Sequence, residues 1–239
     1  MSALNAPYYQ DDLVTLYHGD ALDVLGDLSD GINQAGRFHA IITDPPYMIG
    51  SLSAGNIGTK TGTWADMMNG SLWFAAWYRL AWDMLRDDGC FWTFLNWRSV
   101  PVCMKAANDA RFGFVSLAVW DKVWIGPGGQ QGLRPSYEMV ALAAKQGFAI
   151  PDRGIPDIIR HKTGGHKPTG HPAEKPVGLV DRLLEISDIP TGAHILDPFA
   201  GSGTTAIAAR QQGIRTTLIE ADECYCELIA SRLAQGVLL

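Results

Sequence analysis

The stretch AHILDPFAGSGTTAIAARQQGIRTTLIE, residues 193–220, decides the fold. It opens on an apolar run, 193–197, that reads as a buried strand, turns through Gly201 and Gly203, and enters a helix-like stretch at 203–212. A second apolar run, 215–219, follows and ends in Glu220. The two glycines permit a tight turn and close backbone approach, and the start of the helix offers unpaired amides to a polar ligand. No lysine follows the last glycine and the spacing GxGxxG is not met, so neither a P-loop nor a dinucleotide turn is present. Glu220 stands nineteen residues after Gly201, at the end of the next strand, where an acid can hold a pair of ribose hydroxyls. On the turn alone, an ordinary strand-to-helix connection is the alternative. With Asp197 before the turn and Glu220 after it, a nucleoside ligand without a pyrophosphate fits best, and S-adenosylmethionine is such a ligand.

Outward from this stretch the same rhythm continues. Further strands are expected near 13–17, 38–43, 90–95, 115–120 and 138–143, and further helices near 71–86, 99–110, 177–187 and 222–235. That makes seven strands alternating with helices, an α/β chain with a mostly parallel sheet covered on both faces. Two regions break the rhythm: 48–63, rich in Gly, Ser and Thr, reads as a mobile loop, and 145–171 as an irregular insertion in one domain spanning 1–239.

The strand FHAIIT ends in Asp44-Pro45-Pro46-Tyr47. A proline removes a ladder donor and fixes φ, so the sheet stops there and the backbone beyond is held rigidly. A plain strand-ending turn would use the same prolines, and these residues alone do not decide between the two.

Composition narrows the class. At 239 residues, 47% hydrophobic and 18% charged, the chain can bury a large core. No run approaches the length of a membrane span and no signal peptide is visible, so a soluble cytoplasmic protein is expected. Four cysteines, Cys90, Cys103, Cys224 and Cys226, lack a CxxC pair or metal-ligand spacing, so reduced thiols and no metal are expected, with the last two buried. The net charge of −6 argues against indiscriminate nucleic-acid binding. Residues 151–175 nonetheless hold five Lys or Arg and three of the six histidines.

With DPPY, FAGSG and Glu220 in this order, the chain resembles the β group of N6-adenine and N4-cytosine DNA amino-methyltransferases. The segments LYHGDALDVL (16–25), AVWDK (118–122), RPSYEMVAL (134–142), HPAEKPVGLVDRLL (171–184) and IEADECYCELIASRL (219–233) agree with that likeness, which spans nearly the whole chain. The resemblance implies a Rossmann-like class I methyltransferase fold with circularly permuted motif order and S-adenosylmethionine as cofactor. It implies that Asp44, the Pro45 carbonyl, Pro46 and Tyr47 hold the target base. It places Phe199, Gly201, Ser202, Gly203 and Thr204 in the cofactor loop, Asp197 near the methionine end and Glu220 on the ribose. Asp20 and Ala21 would lie near the adenine, Lys175 would close over the methionine end, and Asp222 counts among the cofactor residues. Asp20 as a helix cap and Lys175 as a surface lysine are the plain alternatives.

An exocyclic amine is a poor nucleophile because its lone pair is delocalised into the ring. Acceptors for both amino hydrogens localise that pair and stabilise the charge that builds on nitrogen. The base must leave the duplex, and stacking on an aromatic face such as Tyr47 is worth about 1–3 kcal/mol. In this family a leading Asp in the turn goes mainly with adenine and a leading Ser with cytosine N4, so adenine N6 in double-stranded DNA is expected, in an enzyme of restriction-modification type. Cytosine N4 is the alternative; RNA or protein-amide methylation and a non-catalytic DNA-binding homologue stand further off. DNA contacts are expected from Arg153, Arg160, Lys162 and Lys167, and from His166 and His171. Reading several base pairs needs on the order of 1,000 Å² of surface. A homodimer is therefore expected, with the aromatic helix 71–86 partly facing the partner.

Overall fold

A computed structural model describes residues 6–31, 37–46, 64–126 (backbone alone for 64–69), 132–163, 169 and 174–235. The strands are β1 (Tyr9–Gln10), β2 (Val14–His18), β3 (Phe38–Thr43), β4 (Leu85–Leu95), β5 (Phe114–Asp121), β6 (Tyr137–Ala144), β7 (Ile158–Arg160), β8 (His194–Asp197) and β9 (Arg215–Glu220). The helices are α1 (Ala21–Gly31), α2 (Trp64–Asp83), α3 (Val100–Asp109), α4 (Val177–Ile186), α5 (Thr204–Gln211) and α6 (Glu223–Ala234).

One nine-stranded sheet runs β1-β2-β9-β8-β3-β4-β6-β5-β7. Its centre, β2-β9-β8-β3-β4, is parallel, β6 reverses against both β4 and β5, and β7 is parallel to β5. All seven expected strands are present. The two additional ones, β1 and β7, are two and three residues long, too short to leave a hydropathy period. The helix α1 was not expected; Asp20 starts it by accepting from Leu22 N at 2.8 Å. Strand β4 begins at Leu85 rather than 90, because a bulge between Phe38 and Ala40 carries the polar Arg86-Asp87-Asp88-Gly89 along the sheet edge. Residues 145–163, expected to be irregular, contain β7.

The continuous apolar runs of the central strands follow from burial on both faces. Along β3, β4 and β6, Ile41, Phe91, Leu95, Ala141 and Ala143 join the core under α1, α2 and α3. Their neighbours Ala40, Ile42, Cys90, Trp92, Phe94, Val140 and Leu142 join the core under α4 and α5. A smaller core lies between β1, β2 and α6.

The aromatic wealth of α2 is absorbed by this core. Phe74, Trp77, Tyr78 and Ala81 are fully buried, Trp73 packs on Phe199, and Trp82 stacks on Phe112 at 4.6 Å. Among its described side chains, Leu72 is the large apolar residue left exposed. The expectation that part of this helix faces a second subunit thus loses its structural ground. Cys226 is buried as expected, whereas Cys224 is exposed, because it lies on the outward side of the first turn of α6.

Candidate active site

The parallel strands point their C-terminal ends to one edge of the sheet, where Thr43, Asp197, Glu220 and His18 end their strands and β6 begins. There a cavity of about 530 Å³ opens, within the range of small-molecule sites. Of the residues expected to act, Asp20, Ala21, Asp44, Pro45, Pro46, Lys175, Asp197, Phe199, Gly201, Ser202, Thr204 and Glu220 line this one cavity. Tyr47, Lys167, His166 and His171 lie outside the described residues, as does the loop 48–63. Gly203 and Asp222 are not among the lining residues. Gly203 starts α5 at φ +78, and a Cβ there would stand 3.0 Å from Ile229. Asp222 caps α6 by accepting from Cys224 N at 2.9 Å and is exposed. Both therefore shape the loop behind the cavity.

The glycine turn is tied down by side chains. Asp197 is buried; its Oδ1 accepts from Thr43 Oγ1 at 2.7 Å and Phe199 N at 3.1 Å, and its Oδ2 from Thr205 Oγ1 at 2.6 Å. Burial pushes its carboxyl up to about 6, against those hydrogen bonds. Asp197 thereby locks the end of β3 to β8 and α5. Glu220 accepts Gly201 N at 2.7 Å on Oε2 and Asp222 N at 2.9 Å on Oε1. A carboxylate offers about four lone-pair sites, so two remain for a ligand's hydroxyls. Gly19 N donates to the Glu220 backbone oxygen at 2.9 Å, which brings Asp20 and Ala21 beside the acid.

On the other side stands Asp44. Its Oδ2 accepts from Lys175 Nζ, while its Oδ1 is buried with no hydrogen-bond partner among the described residues. Lys175 also faces Glu138 at 3.4 Å, and Glu138 pairs with Lys122 at 2.5 Å. Burial alone would lower the Lys175 ammonium, but Asp44 and Glu138 outweigh it and hold the group above its ordinary range. Burial would likewise raise Glu138, and the two lysines hold it below. Lys175 is thus no surface group. Its backbone oxygen accepts from Thr204 Oγ1 at 3.1 Å, and neighbouring Glu174 faces Arg232 at 3.6 Å, whose Nη1 donates to the Ser202 carbonyl. These contacts seat the segment before α4 on the glycine turn.

Lys122 and Glu138 stand in the segments AVWDK and RPSYEMVAL, whose spacing assigns neither of them a role. Their signal was faint: one acid at the start of an apolar strand, and one lysine at the end of another. Trp73, on the helix expected to face a partner in part, packs against the core and also lines the cavity, its ring 5.5 Å from that of Phe199. Arg160 ends β7 on the same sheet edge, paired with Asp121 at 3.1 Å and largely exposed, and Lys162 follows it, exposed. Arg153 is exposed but precedes β7, in a segment that sets out from the opposite edge, where Lys145 N and Gly147 N bond Gly89 and Asp87. Among the described residues no cluster of potential metal ligands occurs, and no helix is long and apolar enough to cross a membrane.

Residues 38–231 match the N6/N4 methyltransferase family model described as DNA methylase. The chain is 34% identical over 197 residues to YubD of Escherichia coli (strain K12), covering 81% of each. Among solved structures, the complex of M1.HpyAVI with SAM aligns with a TM-score of 0.72 at 22% identity, covering 92% of this chain and 99% of that one. The PvuII DNA methyltransferase, described as cytosine-N4-specific, aligns with a TM-score of 0.75 at 15% identity, over 97% and 90% of the two chains. At such identities the two structures establish the fold, the class I methyltransferase α/β sheet. The family match covers most of the chain, from β3 through α6, and on that ground the protein belongs to the N6-adenine/N4-cytosine family of S-adenosylmethionine-dependent DNA amino-methyltransferases.

Proposed function

We propose that this protein methylates the N6 amine of adenine in double-stranded DNA. The observation that carries the reading is Asp44, a residue of the cavity lining: one carboxylate oxygen is held by a buried lysine, and the other is buried and unpartnered among the described residues. A buried acceptor left without a donor costs free energy, and a ligand amine would satisfy it.

The cavity suits S-adenosylmethionine. Its walls run from Asp20, Glu220 and Tyr225 to Asp44 and Lys175, with Trp73, Phe94 and Phe199 as apolar surface. Glu220 would hold the ribose, and Asp20 and Ala21 would flank the adenine. The cofactor supplies an electrophilic methyl on a sulfonium. Asp44 Oδ1 accepts one amine hydrogen of the target base, and the Pro45 carbonyl, fixed by its own ring and that of Pro46, accepts the other. The nitrogen lone pair is then localised, and the hydrogen bond to Asp44 strengthens as positive charge grows on nitrogen. Tyr47 stacks on the extruded base. Arg160 and Lys162, on the cavity's edge of the sheet, contact phosphates, joined by Arg153 and Lys167.

Adenine rests on the acid that leads the Pro-Pro-Tyr turn. Cytosine N4 is the second reading, since the same two acceptors can hold that amine. Nucleoside mass spectrometry of DNA from cells expressing the protein decides between them: N6-methyladenine is expected, and N4-methylcytosine alone would overturn the assignment. A homodimer stays within the proposal on the argument of interface area alone; only monomer in light scattering, with full activity on duplex DNA, would remove it.

A further inference from the structure

Four charged groups alternate in sign across the edge of the site: Lys122 at the end of β5, Glu138 on β6, Lys175 before α4 and Asp44 after β3. Lys122 Nζ lies 2.5 Å from Glu138, and Lys175 Nζ lies 3.4 Å from the other Glu138 oxygen while it donates to Asp44. The two ammonium groups stand on two aromatic faces, Lys122 over Trp120 at 5.0 Å and Lys175 over Phe94 at 5.2 Å. Those rings pack edge-on with centroids 6.3 Å apart. Glu138 sits between the two cations, and neither Glu138 nor Lys122 lines the cavity. We propose that Glu138, braced by Lys122, is a positioning residue that fixes Lys175 on Oδ2 of Asp44 and so keeps Oδ1 free for the target amine. The inference rests on the methyl-transfer reading above.

A lysine is a point charge on a stem of four rotatable carbons, with no built-in preference for one carboxylate oxygen over the other. Held by Asp44 alone, the ammonium could swing across both oxygens and occupy the one the base needs. A second anion on the far side restricts where the nitrogen can sit. That anion must itself stay ionised in a largely buried place, and Lys122 provides for this. The cluster sums to zero, so Asp44 acts as an acceptor without leaving net charge buried. Among the described residues, the other charges packed around it are paired or bonded elsewhere: Asp197 on β8 to Thr43 and Thr205, Asp121 to Arg160, and Glu174 to Arg232.

The test uses the full chain, unmethylated genomic DNA and labelled S-adenosylmethionine under single-turnover conditions. Glu138→Gln is expected to slow methylation at least tenfold, about 1.4 kcal/mol in the barrier, with cofactor affinity by calorimetry changed less than twofold. Its rate should fall off at lower pH on the basic side, because Lys175 then loses one of the two anions it faces among the described residues. Glu138→Asp, which retains the charge, should keep that limb in place. Lys122→Met alone should slow the reaction severalfold, but add less than twofold in the Glu138→Gln background, since it acts through Glu138. An unchanged rate in Glu138→Gln, a loss of cofactor affinity that matches the loss of rate, or equal behaviour of the Gln and Asp variants would each overturn the inference. Titration of the Lys175 ammonium by nuclear magnetic resonance needs no turnover: it should shift down in Glu138→Gln and hold in Glu138→Asp. A wild-type chain that methylates no DNA sinks the parent reading, whereas a Lys175 titration that ignores Glu138 sinks this one.

Discussion

Replacing Asp197 by asparagine should remove a contribution to stability that fades as pH rises, by an amount set by how deeply that carboxyl is buried. Burial raises it from 3.8 to about 6 in the folded protein, and nearby Asp44 adds to the rise against the hydrogen bonds from Thr205, Thr43 and Phe199 N. A carboxyl whose folded pKa lies above its unfolded one contributes most below the unfolded value. That contribution is lost as pH rises through the folded value. Between pH 4 and pH 7 the wild-type chain should therefore lose about 2 kcal/mol of stability through this one group, relative to a chain that cannot ionise there. In Asp197→Asn the amide oxygen keeps the Thr43 and Phe199 contacts, and the Thr205 hydroxyl can turn to accept from the amide. Any net loss from those hydrogen bonds is independent of pH, so it cancels when the two proteins are compared at several pH values. Urea unfolding at pH 4, 5, 6 and 7 measures the difference, which should move in favour of the variant by about 2 kcal/mol over that range. Parallel pH profiles for the two proteins would refute the reasoning, since they would show that Asp197 ionises in the fold as it does in the unfolded chain.

Asp44→Ala should abolish methyl transfer while leaving cofactor binding nearly intact, because the glycine turn and Glu220 hold their contacts without it; calorimetry beside an activity assay checks this, and parallel losses would count against it. Gly203→Ala should cost about 2–3 kcal/mol in urea melts, from a left-handed φ and a Cβ only 3.0 Å from Ile229. Gly192→Ala, with the same sign of φ but open space around it, should cost about 1 kcal/mol, so the gap between the two reads the Ile229 contact. Reversing Arg160 and Lys162 to glutamate should weaken DNA binding and flatten its dependence on salt by up to about two units of slope, and an unchanged slope would take them out of the interface. Of the four thiols, Cys224 alone should react quickly with an aromatic disulfide reagent in the native protein. Cys90, Cys103 and Cys226 are buried, and burial pushes each up to about 12.

The amino-acid sequence by itself determined what local order can carry. Strands buried on both faces leave unbroken apolar runs, so all seven long strands were legible, and Gly201 and Gly203 marked the turn because few other residues adopt a left-handed φ. The polar ends of those strands, Asp44, Asp197 and Glu220, marked the edge where a site could form. Tertiary structure alone decided which ends meet. Lys175 reaches Asp44 across 131 residues, and Glu138 and Lys122 complete the set only because β6 turns back beside β4 and β5 beside β6. Nothing in the spacing of those four residues encodes that meeting; it follows from the order of strands in the sheet and from the need of each buried charge for an opposite one. The same holds for α2. Its sequence is apolar around most of its girth, which suits a partner's surface as well as a core, and only the packing of Trp77 and Tyr78 on Phe91, and of Trp73 on Phe199, shows where those rings went. Asp197, expected near the cofactor's methionine end, lines the cavity and also ties two strands to a helix, and that second role was not legible because a carboxylate's partners are set by what the fold brings within hydrogen-bonding reach, not by its neighbours in the chain.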